Sequence, residues 1–405
     1  MEDAVGANDF RKYIATKRRN TRVDLSVVFQ QNEVKQLLGV AVPIDTEFSV
    51  KHHIRTREWL YSQEVVSADT LDEERVKFLK NKWVSATSPE TAKGQIVWVH
   101  VNSESQQRSL TRLQELIEAE GLENLPIIFG LLDDRDDRLS DALVDFSLIG
   151  NISEAEKALY ARFVPEFEAK TRTAITDIAA KLMAERKIIT SSGVERSPHR
   201  ISQLAATLFE KVYPEAVPFP FEGFHNRSSA AKKILSQLAR QLCGGLIGEQ
   251  WVQLATADVR NRFTSVMFAG GGPGSWGVVS QDYRITAPQD PDVRHVIEFL
   301  TAKVPASGKL HLKDLMPILV MPPYGMNEYA AALLVACFLS LNRNSLRVLL
   351  KGEPIRLSEW ANRAFADKTV DFEIIEQTSI ERRQDTDRIQ VFCGRVEANT
   401  DISGC

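Results

Sequence analysis

A glycine-rich loop is the part of this sequence that looks most like a ligand site. Residues 267–277, MFAGGGPGSWG, contain five glycines within eight positions. Such a loop holds a phosphate when a buried strand precedes it and a helix follows it. Here TADVRNRFTSVM before the loop has a helical pattern, Pro273 removes one N–H donor, and WGVVSQDYRIT after the loop alternates as a strand does. We therefore expect a flexible turn, with a ligand-binding loop as the alternative.

Two acidic residues, Asp133 and Asp134, end an apolar run, as the magnesium-positioning strand of a P-loop ATPase does. The sequence has no G-x-x-x-x-G-K-[ST] motif to supply the backbone cradle and the lysine that bind phosphates. The alternative is that DDRDDRLSDALVDF begins a helix, whose positive N-terminal end attracts acidic side chains. We expect this helix start, and no bound nucleotide, metal or other cofactor in this chain.

The other reactive side chains show no catalytic spacing. His52 and His53 are adjacent, so in a strand they would point to opposite faces. No Ser/His/Asp order has a diagnostic context, and no Cys-x-x-Cys pair indicates a zinc knuckle or a disulfide framework. The four cysteines are Cys243, Cys337, Cys393 and Cys405. We expect no catalytic residues and a reducing, cytoplasmic location.

Composition limits the classes of partner. The 405 residues are 43% apolar and 26% charged, with a net charge of −4 at pH 7 and a pI of about 6.1. This is not the balance of a strongly basic nucleic-acid coat, so any contact with DNA must be local. The longest apolar run, residues 330–341, is too short to cross a bilayer, and MEDAVGANDFRK lacks the apolar run of a signal peptide. We expect no membrane partner.

The clearest basic cluster is RKYIATKRRNTR, which has no acidic residue inside it. Such a run is typical of a solvated helix end or of a surface that contacts DNA phosphates. The candidate phosphate contacts are Arg11, Lys12, Lys17, Arg18, Arg19 and Arg22.

The N-terminal part has the pattern of a parallel βαβ unit. The apolar runs GQIVWVHV and LPIIFGLLDD flank a segment in which Leu110, Leu113 and Leu116 have helical spacing. The following region is predicted to be helical, beginning with a capping box formed by Ser153 and Glu156.

The C-terminal part has the element order of a winged-helix domain: three predicted helices and then a β-hairpin at LRVLLKGEPIRL. A tight structural turn at Pro322, Pro323, Tyr324 and Gly325 precedes the third helix. No Lys or Arg occurs from Met326 to Asn342, and apolar residues surround this helix, which indicates burial. Protein packing or docking is therefore expected, with major-groove readout as the alternative.

The predicted fold class is mixed α/β and helix-rich, with a βαβ-containing N-terminal part, a helical middle and a winged-helix-like C-terminal part. The predicted domains are residues 1–150 (α/β part), 151–250 (helical region), 251–375 (winged-helix-like domain) and 376–405 (C-terminal tail).

A resemblance to a known family rests on four segments of the C-terminal half. KVYPEAVPFPFEGFHN, HVIEFLTAKV, LKDLMPILVMPPYGMNEYAAALLVACFL and LSEWANRAFADKTVDFEI resemble the region downstream of the P-loop domain in large BREX-type ATPases of bacterial phage-defence islands. With the βαβ stretch, the likeness covers residues 50–375, and PPYG is its strongest motif. The resemblance implies ATP-driven assembly on DNA that blocks phage genomes, with ATP and magnesium bound only in the upstream part of a full-length relative.

The sequence therefore predicts a non-catalytic module of an anti-phage defence ATPase, either as a fragment or as a split subunit. Its expected partners are other phage-defence proteins or ATPase subunits, and DNA through backbone contacts. The alternatives are a stand-alone winged-helix DNA-binding regulator and, least favoured, an enzyme that uses the acidic strand end.

Overall fold

The computed structural model describes residues 6–84, 92–105, 107–224, 228–367 and 369–383. The chain divides into two compact units. The first comprises Met1–Thr46 and Trp59–Val212, and the second comprises Glu47–Glu58 and Tyr213–Cys405. The predicted helical region 151–250 is therefore shared between the two units.

The helices in chain order are α1 (Ala7–Asn20), α2 (Leu25–Val28), α3 (Asn32–Leu37), α4 (Phe48–Lys51), α5 (Glu73–Val84), α6 (Gln107–Ala119), α7 (Arg138–Gly150), α8 (Glu154–Leu159), α9 (Val164–Ala184), α10 (Ile201–Val212), α11 (Ser229–Gly244), α12 (Glu249–Leu254), α13 (Ala257–Met267), α14 (Pro291–Lys303), α15 (Leu312–Val320), α16 (Glu328–Leu341), α17 (Leu357–Ala364) and α18 (Phe372–Glu376). Two short 3₁₀ helices cover Ala68–Thr70 and Leu122–Asn124.

The strands are β1 (Ile44–Asp45), β2 (Leu60–Ser67), β3 (Gly94–Asn102), β4 (Ile127–Asp134), β5 (Lys187–Thr190), β6 (Gly193–Arg196), β7 (Leu310–His311), β8 (Leu346–Leu350), β9 (Glu353–Ile355) and β10 (Thr378–Arg382).

The first unit is built on a six-stranded mixed sheet with the order β1-β2-β3-β4-β5-β6. Strands β2, β3 and β4 are parallel, and the outer pairs are antiparallel. The central strand β3 is buried along almost its whole length, which explains why its sequence is a continuous apolar run. The predicted βαβ unit of β3, α6 and β4 is confirmed.

Helices α5 and α6 supply one apolar layer of the first unit, in which Val76 and Leu113 pack with Val97 and Val99 of β3. A separate aromatic cluster fixes α1, because Phe10 and Ile14 pack with Ile149, Ile152 and Val164. The predicted capping box of α8 is also confirmed, since the Ser153 hydroxyl accepts from the Glu156 N–H.

The second unit contains a four-stranded antiparallel sheet with the order β7-β10-β8-β9. The C-terminal part has the predicted order of helices and hairpin, from α14 through α15 and α16 to β8 and β9. Helix α16 is buried at every residue from Ala330 to Ser340, as its apolar circumference predicts. Strand β10 was not predicted: it falls within the expected C-terminal tail and lies between β7 and β8.

Candidate polyanion-binding site

A cavity of about 480 Å³ in the second unit lies beside the β8–β9 hairpin. Four arginines line it, Arg343, Arg347, Arg356 and Arg383, and its described lining contains no Asp or Glu. We call it the arginine cavity. The four residues span 41 positions of sequence, so only the folded chain brings them together.

The hairpin positions two of these arginines. Lys351 and Gly352 form its two-residue turn with φ values of 53° and 88°, as a turn that follows the natural twist of a hairpin requires. Arg347 and Arg356 flank the last strand pair, Val348 with Ile355, on the two sides of the hairpin. Arg356 is also the residue before the first turn of α17.

Arg343 is held by the ends of two helices. Its Nε donates to the Ser340 carbonyl of α16 at 3.2 Å, and its Nη2 donates to the Leu242 carbonyl of α11 at 3.2 Å. A positive charge is favourable at the negative C-terminal end of a helix. A Cβ atom on Gly245 would lie only 2.8 Å from Nη1, so the glycine leaves room for this guanidinium.

The described partners of the other arginines differ: a carbonyl group for Arg383 and a carboxylate for Arg347. Arg383 donates from Nε to the Leu346 carbonyl at 3.1 Å, while Arg347 Nη1 lies 3.4 Å from Glu381 Oε1. In the part of the chain that the structure describes, the exposed Arg356 side chain has no hydrogen bond or ion pair. Carbonyl groups satisfy N–H donors without cancelling charge, so the cavity attracts anions.

Guanidinium groups suit phosphates in particular. Each presents a planar set of N–H donors that can pair with two oxygens of one phosphate, and it stays charged at any physiological pH. Several such groups around one open cavity fit a ligand that carries several phosphates.

The six predicted phosphate contacts, five on α1 and Arg22 just after it, fall into two groups in the structure. Lys17 Nζ lies 3.1 Å from Glu156 Oε1, and Arg18 pairs with Asp141 at 2.7 Å and with Asp145 at 3.6 Å. By contrast, Arg11, Lys12, Arg19 and Arg22 are exposed and have no acidic partner among the described residues. Their contact with DNA stays a prediction.

The acidic end of β4 serves the fold, as the helix-start interpretation predicts. Asp134 is 1% exposed and accepts the Leu139 and Ser140 N–H groups at 2.8 and 2.7 Å. Burial alone would raise its pKa, but hydrogen bonds from His100, Leu139 and Ser140 hold that pKa below its usual value. Asp133 pairs with Arg135 and Lys187.

His100, Asp134 and Ser140 do not form a catalytic relay. The same ring nitrogen, Nε2 of His100, lies 3.2 Å from Asp134 and 3.3 Å from Ser140. A relay requires the carboxylate and the hydroxyl at different ring nitrogens. His52 and His53 were expected in a strand, but His52 follows α4 and His53 has a φ of 53°.

The glycine-rich loop is a packed turn rather than a flexible one. A Cβ atom on Gly271 would lie 1.8 Å from the Thr264 carbonyl oxygen, and Trp276 is fully buried with Nε1 donating to the Pro218 carbonyl at 2.6 Å. The loop follows helix α13, and the strand expected after it consists of isolated bridges at Val279. Close packing accounts for Gly271, Gly274 and Gly277, and positive φ values of 82° and 105° account for Gly270 and Gly272.

The PPYG motif forms the expected tight turn. Gly325 has a φ of 62°, and its N–H donates to the Met321 carbonyl at 2.9 Å. Tyr324 is buried, and this burial together with the nearby Glu215 raises its pKa to about 12. No described helix is both long and apolar enough to cross a membrane.

Comparison with known proteins found no relative. No protein-family model matches the chain, no curated protein is detectably similar in sequence, and no solved structure matches its fold.

The arginine cavity was not predicted from the sequence. The predicted hairpin places Arg347 and Arg356 at facing ends of two paired strands, and this pairing could have indicated a basic site there. The sequence holds no such indication for Arg343 and Arg383, because their positions depend on the end of α11 and on the pairing of β10 with β8.

Proposed function

We propose that this chain is a non-catalytic module that docks other proteins and holds DNA by its phosphate backbone, in the service of a bacterial anti-phage defence ATPase of the BREX type. The observation that carries the DNA-binding proposal is the arginine cavity, in which four guanidinium groups meet without a carboxylate in the described lining. The assignment to phage defence rests on the four C-terminal segments and the PPYG motif.

The C-terminal part of the second unit is proposed to be a winged-helix-like domain. The order α14, β7, α15, α16, β8 and β9 favours this interpretation, whereas the position of β10 between β7 and β8 is a departure from it. Readers of the major groove present side chains from an accessible recognition helix. Because α16 is buried from Ala330 to Ser340, we assign the DNA contact to the hairpin side instead.

Binding of this kind ignores sequence. Contacts with phosphates position a protein on DNA but carry no information about the bases. Each neutralised phosphate releases condensed counterions, so log K falls against log salt with a slope of about −0.9 per contact.

The test measures binding of random and genomic duplexes at two salt concentrations. Arg356→Ala/Arg383→Ala should flatten the salt slope by up to about 2 units, because two phosphate contacts are lost. The matched control is Arg240→Ala/Arg363→Ala, which removes the same charge from the same unit. These two arginines pair with Asp367 and Glu359 and do not line the cavity. Equal slopes for the two double variants, or no binding by the parent, would refute the proposal.

The alternative function is a stand-alone winged-helix regulator, which the order of helices and hairpin favours. It requires a preferred genomic sequence whose recognition survives loss of Arg356 and Arg383. The genomic DNA upstream of the Met1 codon tests whether the chain is part of a larger protein. An in-frame Walker A motif there would make it part of a larger ATPase.

A further inference from the structure

A second cavity, of about 340 Å³, adjoins the arginine cavity and shares one wall with it. Both are lined by Arg343. The second cavity adds the side chains of Tyr283, Arg284 and Asn344, and its described lining also contains no Asp or Glu. The two cavities are therefore neighbours at Arg343, and arginines line both.

Tyr283 is a fixed aromatic group in the lining of the second cavity. It sits in a tight turn in which its N–H donates to the Ser280 carbonyl at 2.9 Å and the Ser280 N–H donates to the Arg284 carbonyl at 2.8 Å. Its φ of 58° is uncommon for a residue with a side chain. The ring lies 5.6 Å from that of Phe268, measured between centroids, and is half-buried. The ring therefore packs against Phe268, while part of the Tyr283 side chain stays accessible in the second cavity.

The shared Arg343 is held in place by two helices. Its bonds to carbonyl groups near the ends of α11 and α16 fix the guanidinium group of a residue that lines both cavities.

We propose that the two cavities form one track for single-stranded nucleic acid, an inference that rests on the proposed function. The arginines hold successive phosphates, and the open part of the Tyr283 ring stacks on an unpaired base. A basic groove with aromatic platforms is the usual way in which proteins bind single strands without reading sequence. Bases in an intact duplex are stacked on each other and are not available to such a ring.

The experiment uses the full chain, a labelled oligothymidylate and a random duplex of equal length, with fluorescence anisotropy as the readout. Tyr283→Leu should weaken binding of the single strand by between about 5-fold and about 150-fold, the range measured for loss of one stacked base. Binding of the duplex should be unchanged. Tyr283→Phe should keep the affinity, because the ring remains.

Two further variants supply a control outside the site and a second test within it. Phe78→Leu removes an exposed aromatic ring from the other unit and should leave both affinities unchanged. Arg284→Ala lies in the second cavity, and it should weaken single-strand binding and flatten its salt slope by about 0.7.

The outcomes separate the two proposals. If Tyr283→Leu and Arg284→Ala leave single-strand binding intact while Arg356→Ala/Arg383→Ala weakens duplex binding, the track is wrong and the proposed phosphate contact stands. If Arg356→Ala/Arg383→Ala weakens neither ligand, the proposed function fails and the track fails with it.

Discussion

Helix α1 and the arginine cavity are both basic, but they differ in how their charge is used. The α1 cluster is contiguous in sequence, and two of its six basic side chains, Lys17 and Arg18, are engaged by carboxylates of the same unit. The cavity arginines are scattered along the chain, and they bond mainly to carbonyl groups. A run of basic residues in the sequence therefore does not show which of its side chains are paired in the folded unit and which are free.

The two regions also differ in whether an arginine stabilises the fold or is available to a ligand. Arg18 contributes to holding α1 on its unit, whereas Arg356 has no described partner to lose. Substitutions of Lys17 and Arg18 should therefore chiefly change stability, and substitutions in the arginine cavity should chiefly change binding.

The largest expected effect tests whether α1 is an integral part of its unit. Phe10 is 3% exposed, and its ring centroid lies 5.2 Å from that of Tyr160. Phe10→Ala should lower the free energy of unfolding by about 3 to 5 kcal/mol, since it leaves a cavity among packed aromatic rings. Urea unfolding measures this. Lys12→Ala on the exposed face is the control, and equal stability of both variants would show that α1 is a loosely attached arm.

The second effect concerns the turn that sets the hairpin. Gly352 has a φ of 88° and open space around it, so Gly352→Ala should cost about 1 kcal/mol through backbone strain alone. Gly150 ends helix α7 and also has open space, but its φ is not positive. Gly150→Ala should leave stability unchanged or raise it by up to about 1 kcal/mol. If both substitutions shift the urea midpoint in the same direction, this account of the turn is wrong.

A paired substitution compares the two kinds of arginine directly. Arg18→Ala should lower the unfolding free energy by roughly 1 kcal/mol, the upper end for a partly exposed ion pair. Arg356→Ala should change it by less than about 0.5 kcal/mol. Burial already raises the pKa of Asp145, and loss of the Arg18 charge should raise that pKa further, which NMR titration detects. If Arg356→Ala destabilised the protein as much as Arg18→Ala does, the distinction between a stabilising arginine and one that is available to a ligand would be wrong.

The smallest effect is a pH dependence in the α1 contact. Hydrogen bonds from the Ser153 hydroxyl and N–H, and then from Lys17, lower the pKa of Glu156 to about 2. A lowered pKa in the folded state adds stability above the unfolded value of 4.5, and this stability is lost as the pH falls towards about 2.

Glu156→Gln should therefore be less stable than the parent at neutral pH, and the difference should shrink across that acid range. Lys17→Met should lose only part of the stability that the Glu156 carboxylate contributes at neutral pH, because the Ser153 hydrogen bonds to Glu156 remain. Thermal melts at a series of pH values test this, and a difference between Glu156→Gln and the parent that does not vary with pH would contradict it.

Much of the fold could be predicted where the apolar pattern is long and regular. The strands β3 and β4, the helices α14 and α16 and the β8–β9 hairpin all have such patterns. The β5–β6 hairpin was missed because its four-residue strands are too short to show a period and follow a long helix. Strand β2 mixes polar and apolar residues on both faces, and so resembles a loop.

The candidate site was harder to predict than the fold. Its arginines depend on contacts between residues far apart in sequence, such as Arg343 with Leu242. Local pattern carries no information about such contacts. At RKYIATKRRNTR the local pattern likewise gave no sign that Lys17 and Arg18 are ion-paired, because their acidic partners, Glu156 and Asp141, lie more than a hundred residues away in sequence.

Strand β10 pairs with β7 on one side and with β8 on the other, and this has a consequence for synthesis of the chain. A ribosome must release residues 378–382 from its exit tunnel before the four-stranded sheet can close. Strands β1 to β6 emerge far earlier, so their sheet can assemble while the second is still being translated. Until β10 arrives, Arg383 is absent from its place beside Leu346, so the arginine cavity of the nascent chain is incomplete.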